Sequence, residues 1–170
     1  MRRALFLDRD GVINVDHGYI SGPDKFDVID GVFDALRRAQ KLGYLLVVVT
    51  NQSGIARGYF TGDDYQRTED HMRAIFLAEG VRLDAIYHCP HHPDGVVPAL
   101  AVSCDCRKPE PGMILRAARD HDIDLAASIM VGDKDSDIAA ARAAGVGRNY
   151  LVAPPRFTLK DINLDRPGQG

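Results

Sequence analysis

Long apolar runs are missing from this 170-residue sequence. No stretch approaches the ~20 residues of a membrane span. The first apolar run, residues 4–7, stops at Asp8, too short for the roughly 7 to 15 apolar residues of a signal-peptide core. A cytoplasmic protein is expected. An excess of charge is missing too. Lys and Arg number 21 against 24 Asp and Glu, for a net charge of −3. That balance gives no reason to expect a nucleic-acid or membrane partner. Cysteine is scarce, with three residues, Cys89, Cys104 and Cys106. An odd, clustered set in a reducing compartment points to metal more than to disulfide. Internal repeats and dividing linkers are also absent.

What remains is an ordinary globular composition, 45% hydrophobic and 26% charged, long enough for one domain with a sizeable core. Apolar β-branched runs alternate with helix-like segments. Strands are expected at 4–7, 44–50, 83–89, 127–133 and 148–152. Of these, "YLLVVVT" is apolar on both faces, as a central parallel strand should be. A helix capped by Asp30 is expected through residue 42, with Val32, Leu36, Ala39 and Phe33 facing inward and Gly43 ending it. Thr61 and Asp64 read as a capping box opening a helix that Gly80 stops. Further helices are expected at 113–121 and 135–144, the latter closed by Gly145. Residues 90–111 form a long loop. The expected domain spans 1–152, with the loop at 88–107. The tail, 153–170, carries Pro154, Pro155, Pro167 and Gly168 and is expected to be irregular or frayed.

Alternating strands and helices predict an α/β fold, a doubly wound parallel sheet that binds ligands beyond the carboxyl ends of its strands. Asp8, Thr50, Asn51 and Asp133 lie there. Asp8 and Asp10 face the same way if extended geometry persists. Two near carboxylates repel unless a cation or proton lies between them, and Asp133 adds a third. Three oxygen donors suit Mg²⁺, although an Asp at a strand end also serves simply to cap a turn. Mg²⁺ beside a carboxylate nucleophile suits phosphoryl transfer. Asp8 is then the attacking group and Asp10 the acid that protonates the leaving oxygen and activates water. Thr50, Asn51 and Lys108 are candidates to hold phosphate oxygens, and Lys134 to reach the substrate.

"CPHHP" and "CDCRKP" supply Cys89, Cys104, Cys106 and either His91 or His92. Three thiolates and one imidazole match a closed tetrahedral zinc site. The two-residue spacing favours His91. A disulfide leaving one cysteine over, or three unremarkable thiols, are the alternatives. Such a zinc would be structural, and its loop runs straight into Lys108.

In this order and at strand ends, "DRDGV" (8–12), "VTNQS" (49–53), "RKP" (107–109) and "GDKDSD" (132–137) resemble the motifs of the haloacid dehalogenase (HAD) phosphohydrolases. The resemblance covers roughly residues 4–152. It implies sheet order 5-4-1-2-3, Asp8 as nucleophile, Asp10 as general acid/base, and Thr50 and Lys108 as phosphate stabilisers. It also implies Mg²⁺ held by Asp8, Asp133 and the backbone carbonyl of Asp10. "DHGY" (16–19), "TNQSGIARG", "CPHHP" and "CDCRKPEPG" narrow the likeness. They resemble the D-glycero-D-manno-heptose 1,7-bisphosphate 7-phosphatase family, with the histidinol-phosphate phosphatases as alternative. The narrower resemblance implies substrate contacts at Asp16, His17, Gly18, Tyr19, Thr50, Asn51, Gln52, Ser53, Arg107, Lys108 and Lys134. It implies a capless fold, because no domain-sized insert separates the motifs, and a small phosphorylated sugar as partner. A monomer is expected. A phospho-accepting signalling domain is the remote alternative; it would lack a second acid and a zinc staple.

Overall fold

The computed structural model describes residues 1–165. Five parallel strands form one sheet: β1 (Ala4–Leu7), β2 (Leu45–Asn51), β3 (Ala85–Cys89), β4 (Ile129–Gly132) and β5 (Arg148–Leu151). Their order is β3-β2-β1-β4-β5, the one the resemblance implies. Alternate residues of each central strand enter two separate cores. On one face, Leu5, Leu7, Leu46, Val48, Ile129 and Val131 pack with Met72, Phe76 and Leu36. On the other, Ala4, Phe6, Val47, Val49 and Met130 pack with Met113, Ile114, Ala140 and Ala141. Burial on both faces explains why these strands read as unbroken apolar runs.

The first face is covered by α1 (Val32–Lys41) and α2 (Gly62–Ala78), the second by α3 (Gly112–His121) and α4 (Asp135–Ala144). The capping box of α2 is present. Thr61 Oγ1 accepts from the Asp64 N–H at 3.0 Å, and Asp64 accepts from the Thr61 N–H at 2.9 Å. The start of α1 departs from expectation. Gly31, at φ 82°, occupies the N-cap, and no side chain caps the helix. Asp30 lies one residue too early and pairs with Lys160 at 3.1 Å. Phe33 is partly buried and packs edge-on to Phe76.

The tail is also corrected. Residues 153–165 carry an isolated antiparallel bridge between Ala153 and Phe157 and a short 3-10 turn, Leu159–Asp161. They are irregular but not frayed. Leu159, Ile162 and Leu164 are buried in the same core as α1. Thr158 and Asp161 fasten the turn, with the Thr158 N–H donating to Asp161 at 2.9 Å. The proline-and-glycine reading at Pro167 and Gly168 lies outside the described residues.

Candidate active site and thiol cluster

β1 and β4 are neighbours, so the segments following them emerge side by side at the sheet's carboxyl edge. Asp8 continues the ladder by donating its N–H to the Val131 carbonyl at 3.1 Å. The chain then turns, with the Ile13 N–H bonding the Arg9 carbonyl at 2.8 Å. Gly11 sits in this turn at φ 89°. A Cβ there would lie 2.1 Å from Asp133 Oδ2, so only glycine lets the turn pass.

Lys108 reaches under this edge from the loop before α3. Its ammonium donates to three acceptors: the Val49 carbonyl at 2.8 Å, Asp8 Oδ1 at 3.0 Å and Asp137 Oδ1 at 2.5 Å. The three side chains are almost wholly buried, Lys108 at 3%, Asp8 at 7% and Asp137 at 2% exposure. The second oxygen of Asp137 accepts the N–H groups of Asp133 and Lys134 at 3.0 and 3.1 Å. Asp137 thus fixes the first turn of α4 and holds the lysine at once. Asp8, Asp133 and Asp137 each present an oxygen within 4.8 Å of the others. One ammonium against three carboxylates leaves an anionic excess in a poorly hydrated place.

The charge balance shows in the proton affinities. Burial, reinforced by Asp137, Asp10 and Asp133, outweighs Lys108 and pushes Asp8 up to about 8. Burial also raises Asp133. For Lys108 burial works towards neutrality, but Asp8 and Asp137 prevail, and its proton is held more tightly than usual. Lys108 is therefore a fixed cation beside Asp8 and Asp133, two carboxyl groups that ionise reluctantly. Asp133 Oδ1 is buried without a partner. An oxygen-seeking divalent cation fits that donor set.

Asp10 does not join the three carboxylates. Extended backbone ends at β1, and the turn carries its side chain elsewhere. It accepts from Arg9 Nε at 3.0 Å, Asn14 Nδ2 at 2.9 Å and Gln52 Nε2 at 3.3 Å. Asp137, rather than Asp10, is the third carboxylate within 4.8 Å of Asp8 and Asp133, while the Asp10 charge still acts on Asp8. Asp10 still lines the adjoining pocket of about 480 Å³, with Asp16, Gly18, Tyr19, Asn51, Gln52, Ser53, Arg107, Lys108 and Lys134. Gly54, Pro109 and Ser136 line it as well. His17 does not; it pairs with Asp27 at 2.7 Å on the surface. Thr50 is buried behind the wall, its hydroxyl accepting from Gln52 at 3.0 Å. Arg107, Lys108 and Lys134 give the pocket three cationic side chains suited to anionic oxygens.

Sequence reasoning passed over Asp137, although it closes the quoted "GDKDSD" and falls four residues after Asp133. It also passed over Arg9, which is fully buried and orients Asp10.

At the end of β3, Cys89, His91, Cys104 and Cys106 converge. Cys89 and Cys104 Sγ are 3.5 Å apart, Cys104 and Cys106 3.4 Å, and His91 Nδ1 stands 3.5 and 3.4 Å from Cys89 and Cys106. All three cysteines are free thiols. Tetrahedral Zn–S bonds of ~2.3 Å set ligand atoms about 3.7 Å apart, so the cluster is nearly preshaped for such an ion. Burial pushes the Cys89 and Cys106 thiols up, while for Cys104 hydrogen bonds from Cys106, Cys89 and the backbone overcome burial and lower it. His92 stands apart, its Nε2 2.8 Å from Arg57.

Sheet order, strand-end carboxylates and the buried lysine define the class, a phosphohydrolase of the HAD type. A family model described as "HAD-hyrolase-like" matches residues 105–163. The D-glycero-beta-D-manno-heptose-1,7-bisphosphate 7-phosphatase of Escherichia coli (strain K12) is 57% identical over 150 residues, 88% of this chain and 78% of that protein. The corresponding alpha-named phosphatase of Burkholderia mallei is 52% identical, with 88% and 79% covered. Among solved structures, the D,D-heptose 1,7-bisphosphate phosphatase of B. bronchiseptica, complexed with magnesium and phosphate, superposes with a TM-score of 0.80. It is 36% identical and covers 93% of this chain and 83% of that one. The chain belongs to the D-glycero-D-manno-heptose 1,7-bisphosphate 7-phosphatase family, and it is a phosphomonoesterase.

Proposed function

We propose that this protein hydrolyses the C7 phosphate of D-glycero-D-manno-heptose 1,7-bisphosphate. The observation that carries the reading is the Lys108 ammonium, fixed between Asp8 and Asp137 beside a pocket with three cationic side chains. A bisphosphate sugar brings up to about four negative charges, which Arg107, Lys108 and Lys134 answer.

Mg²⁺ is the cation that Asp8, Asp133 and the Asp10 carbonyl would hold, with Asp137 close by. When bound it would offset the negative charge that otherwise keeps a phosphate from a carboxylate. Asp8 then attacks phosphorus through one carboxylate oxygen. The bond from phosphorus to the C7 oxygen breaks, and Asp10 delivers its proton to that oxygen. In the second half-reaction Asp10 takes a proton from water. The hydroxide oxygen bonds phosphorus, the acyl-phosphate bond breaks, and inorganic phosphate leaves with Asp8 regenerated. Lys108 is the cation nearest the transferring group, Thr50 supports Gln52 from behind the wall, and Asp16, Gly18 and Tyr19 bound the sugar's side of the pocket. Asn51, Gln52 and Ser53 form the wall behind the transferring group. Cys89, His91, Cys104 and Cys106 would hold Zn²⁺, and with four protein ligands such an ion would be structural. We place the enzyme in the cytoplasm as a monomer, where reduced thiols remain available as ligands.

Initial rates on both heptose bisphosphate anomers and on histidinol phosphate test the reading. A higher kcat/KM on either heptose anomer supports it. A higher value on histidinol phosphate assigns the other substrate, and a single stoichiometric phosphorylation without turnover removes the hydrolase mechanism.

A further inference from the structure

Asn51 is the last residue of β2 and pairs in register with Cys89 of β3. It lines the pocket, and the polar atoms of its side chain have partners of their own. Nδ2 donates to the Lys108 carbonyl at 3.1 Å, and Oδ1 accepts the Lys108 N–H at 3.0 Å. Both polar atoms of one amide are thus committed to both polar atoms of one distant peptide residue. The pairing reproduces, through a side chain, the reciprocal exchange of an antiparallel ladder. It occurs where Lys108 lies outside any helix or strand and has no ladder of its own.

The consequence is geometric. A lysine ammonium sits on a four-carbon stem with large rotamer freedom. Its aim depends on where its Cα is held. The residue below it, Val49, also belongs to β2 and accepts from the Nζ at 2.8 Å. The strand therefore grips Lys108 at both ends, backbone at Asn51 and ammonium at Val49. The rigid sheet becomes the reference frame for a catalytic group supplied by a loop.

We infer that Asn51 is a positioning residue for Lys108, acting on the transferring phosphoryl group through that lysine. The inference rests on the role given to Lys108 above. Misplacing a catalytic group by about 1 Å can cost on the order of 100-fold in rate, so loss of the clamp should fall on kcat.

The experiment uses the full chain with Mg²⁺, with melting temperature and metal content recorded for every variant. Asn51→Ala should lower kcat about 10- to 100-fold while KM stays within about threefold. The loss should be equal for heptose bisphosphate and for p-nitrophenyl phosphate, since both present the same phosphoryl group. Asn51→Asp, which keeps the volume but sets an acceptor against the Lys108 carbonyl, should lose at least as much, and it carries the same test should the alanine variant fail to fold. In a Lys108→Ala background, Asn51→Ala should add less than about twofold. A raised KM for the sugar bisphosphate alone would return Asn51 to substrate contact. A lowered melting temperature with unchanged kcat would make it purely structural. Full additivity with Lys108→Ala would also overturn the clamp. Wild-type turnover in Lys108→Ala itself would remove the lysine from catalysis, and the clamp's purpose with it.

Discussion

Replacing the attacking carboxylate should make the metal-free protein more stable. In Asp8→Asn the volume is kept and the charge removed. Asp8 rises from 3.8 to about 8 on folding, chiefly through burial. The folded chain therefore holds a proton that the unfolded chain has released. Because the folded value is the higher one, stability falls as pH rises from about 4 to about 8, then levels. At about 1.4 kcal/mol per pH unit, the gross cost at pH 7 is about 4 kcal/mol. The neutral amide of the variant escapes this cost, but its NH₂ group faces the Lys108 ammonium or its carboxylate neighbours without a matched partner, and one unsatisfied buried polar group costs about 2 kcal/mol. The net gain is about 2 kcal/mol. In a domain of this size that raises the melting temperature by about 4 to 8 °C. Scanning calorimetry in magnesium-free buffer without chelator, from pH 5 to 8.5, measures it. The variant's advantage should widen with pH. Added Mg²⁺ should raise the wild type more than the variant, by mass action on the carboxylate site. Turnover by the variant should be lost. An advantage that is flat across pH, or a variant less stable throughout, refutes the reasoning.

The same carboxylate makes Mg²⁺ affinity pH-dependent. Apparent affinity should strengthen by up to about tenfold per unit from pH 6 towards 8, with protons released on binding; calorimetric titration in two buffers of different ionisation heat counts them. Gly132→Ala places a Cβ 2.2 Å from that of Asp137. It should destabilise by about 1–3 kcal/mol and lower kcat by shifting the carboxylate that holds Lys108, both readable from melting and steady-state rates. Freshly purified protein should contain close to one zinc per chain by elemental analysis. Cys104→Ser should lose it and open residues 90–107 to protease, and finding none in the wild type opposes the zinc assignment.

Much of this was legible from residue order because β1 and β2 are buried on both faces, leaving alternation nothing to reveal and β-branched runs plain to see. The capping box at Thr61 is local chemistry and reads locally. The start of α1 misleads because Asp30 is a good cap by type, while Gly31 takes the position by backbone conformation. The carboxylates of Asp8 and Asp133 follow from strand ends. The exchange of Asp10 for Asp137 does not, since it depends on where a turn begins after Leu7 and on Lys108 arriving from a hundred residues away. Asn51 is hidden for the same reason: both of its bonds cross the chain to Lys108. His91, by contrast, was separable from His92 by spacing to Cys89.

The buried Leu159, Ile162 and Leu164 beyond β5 limit how far this chain can be shortened. A gene fragment stopping after Val152, where the sequence pattern fades, would strip Leu159, Ile162 and Leu164 from the face that α1 covers. At roughly 1.5–3 kcal/mol for each such side chain, that amputation approaches the whole stability margin of about 5–15 kcal/mol typical of native domains. Anyone trimming this enzyme for labelling or fusion should keep its last turn.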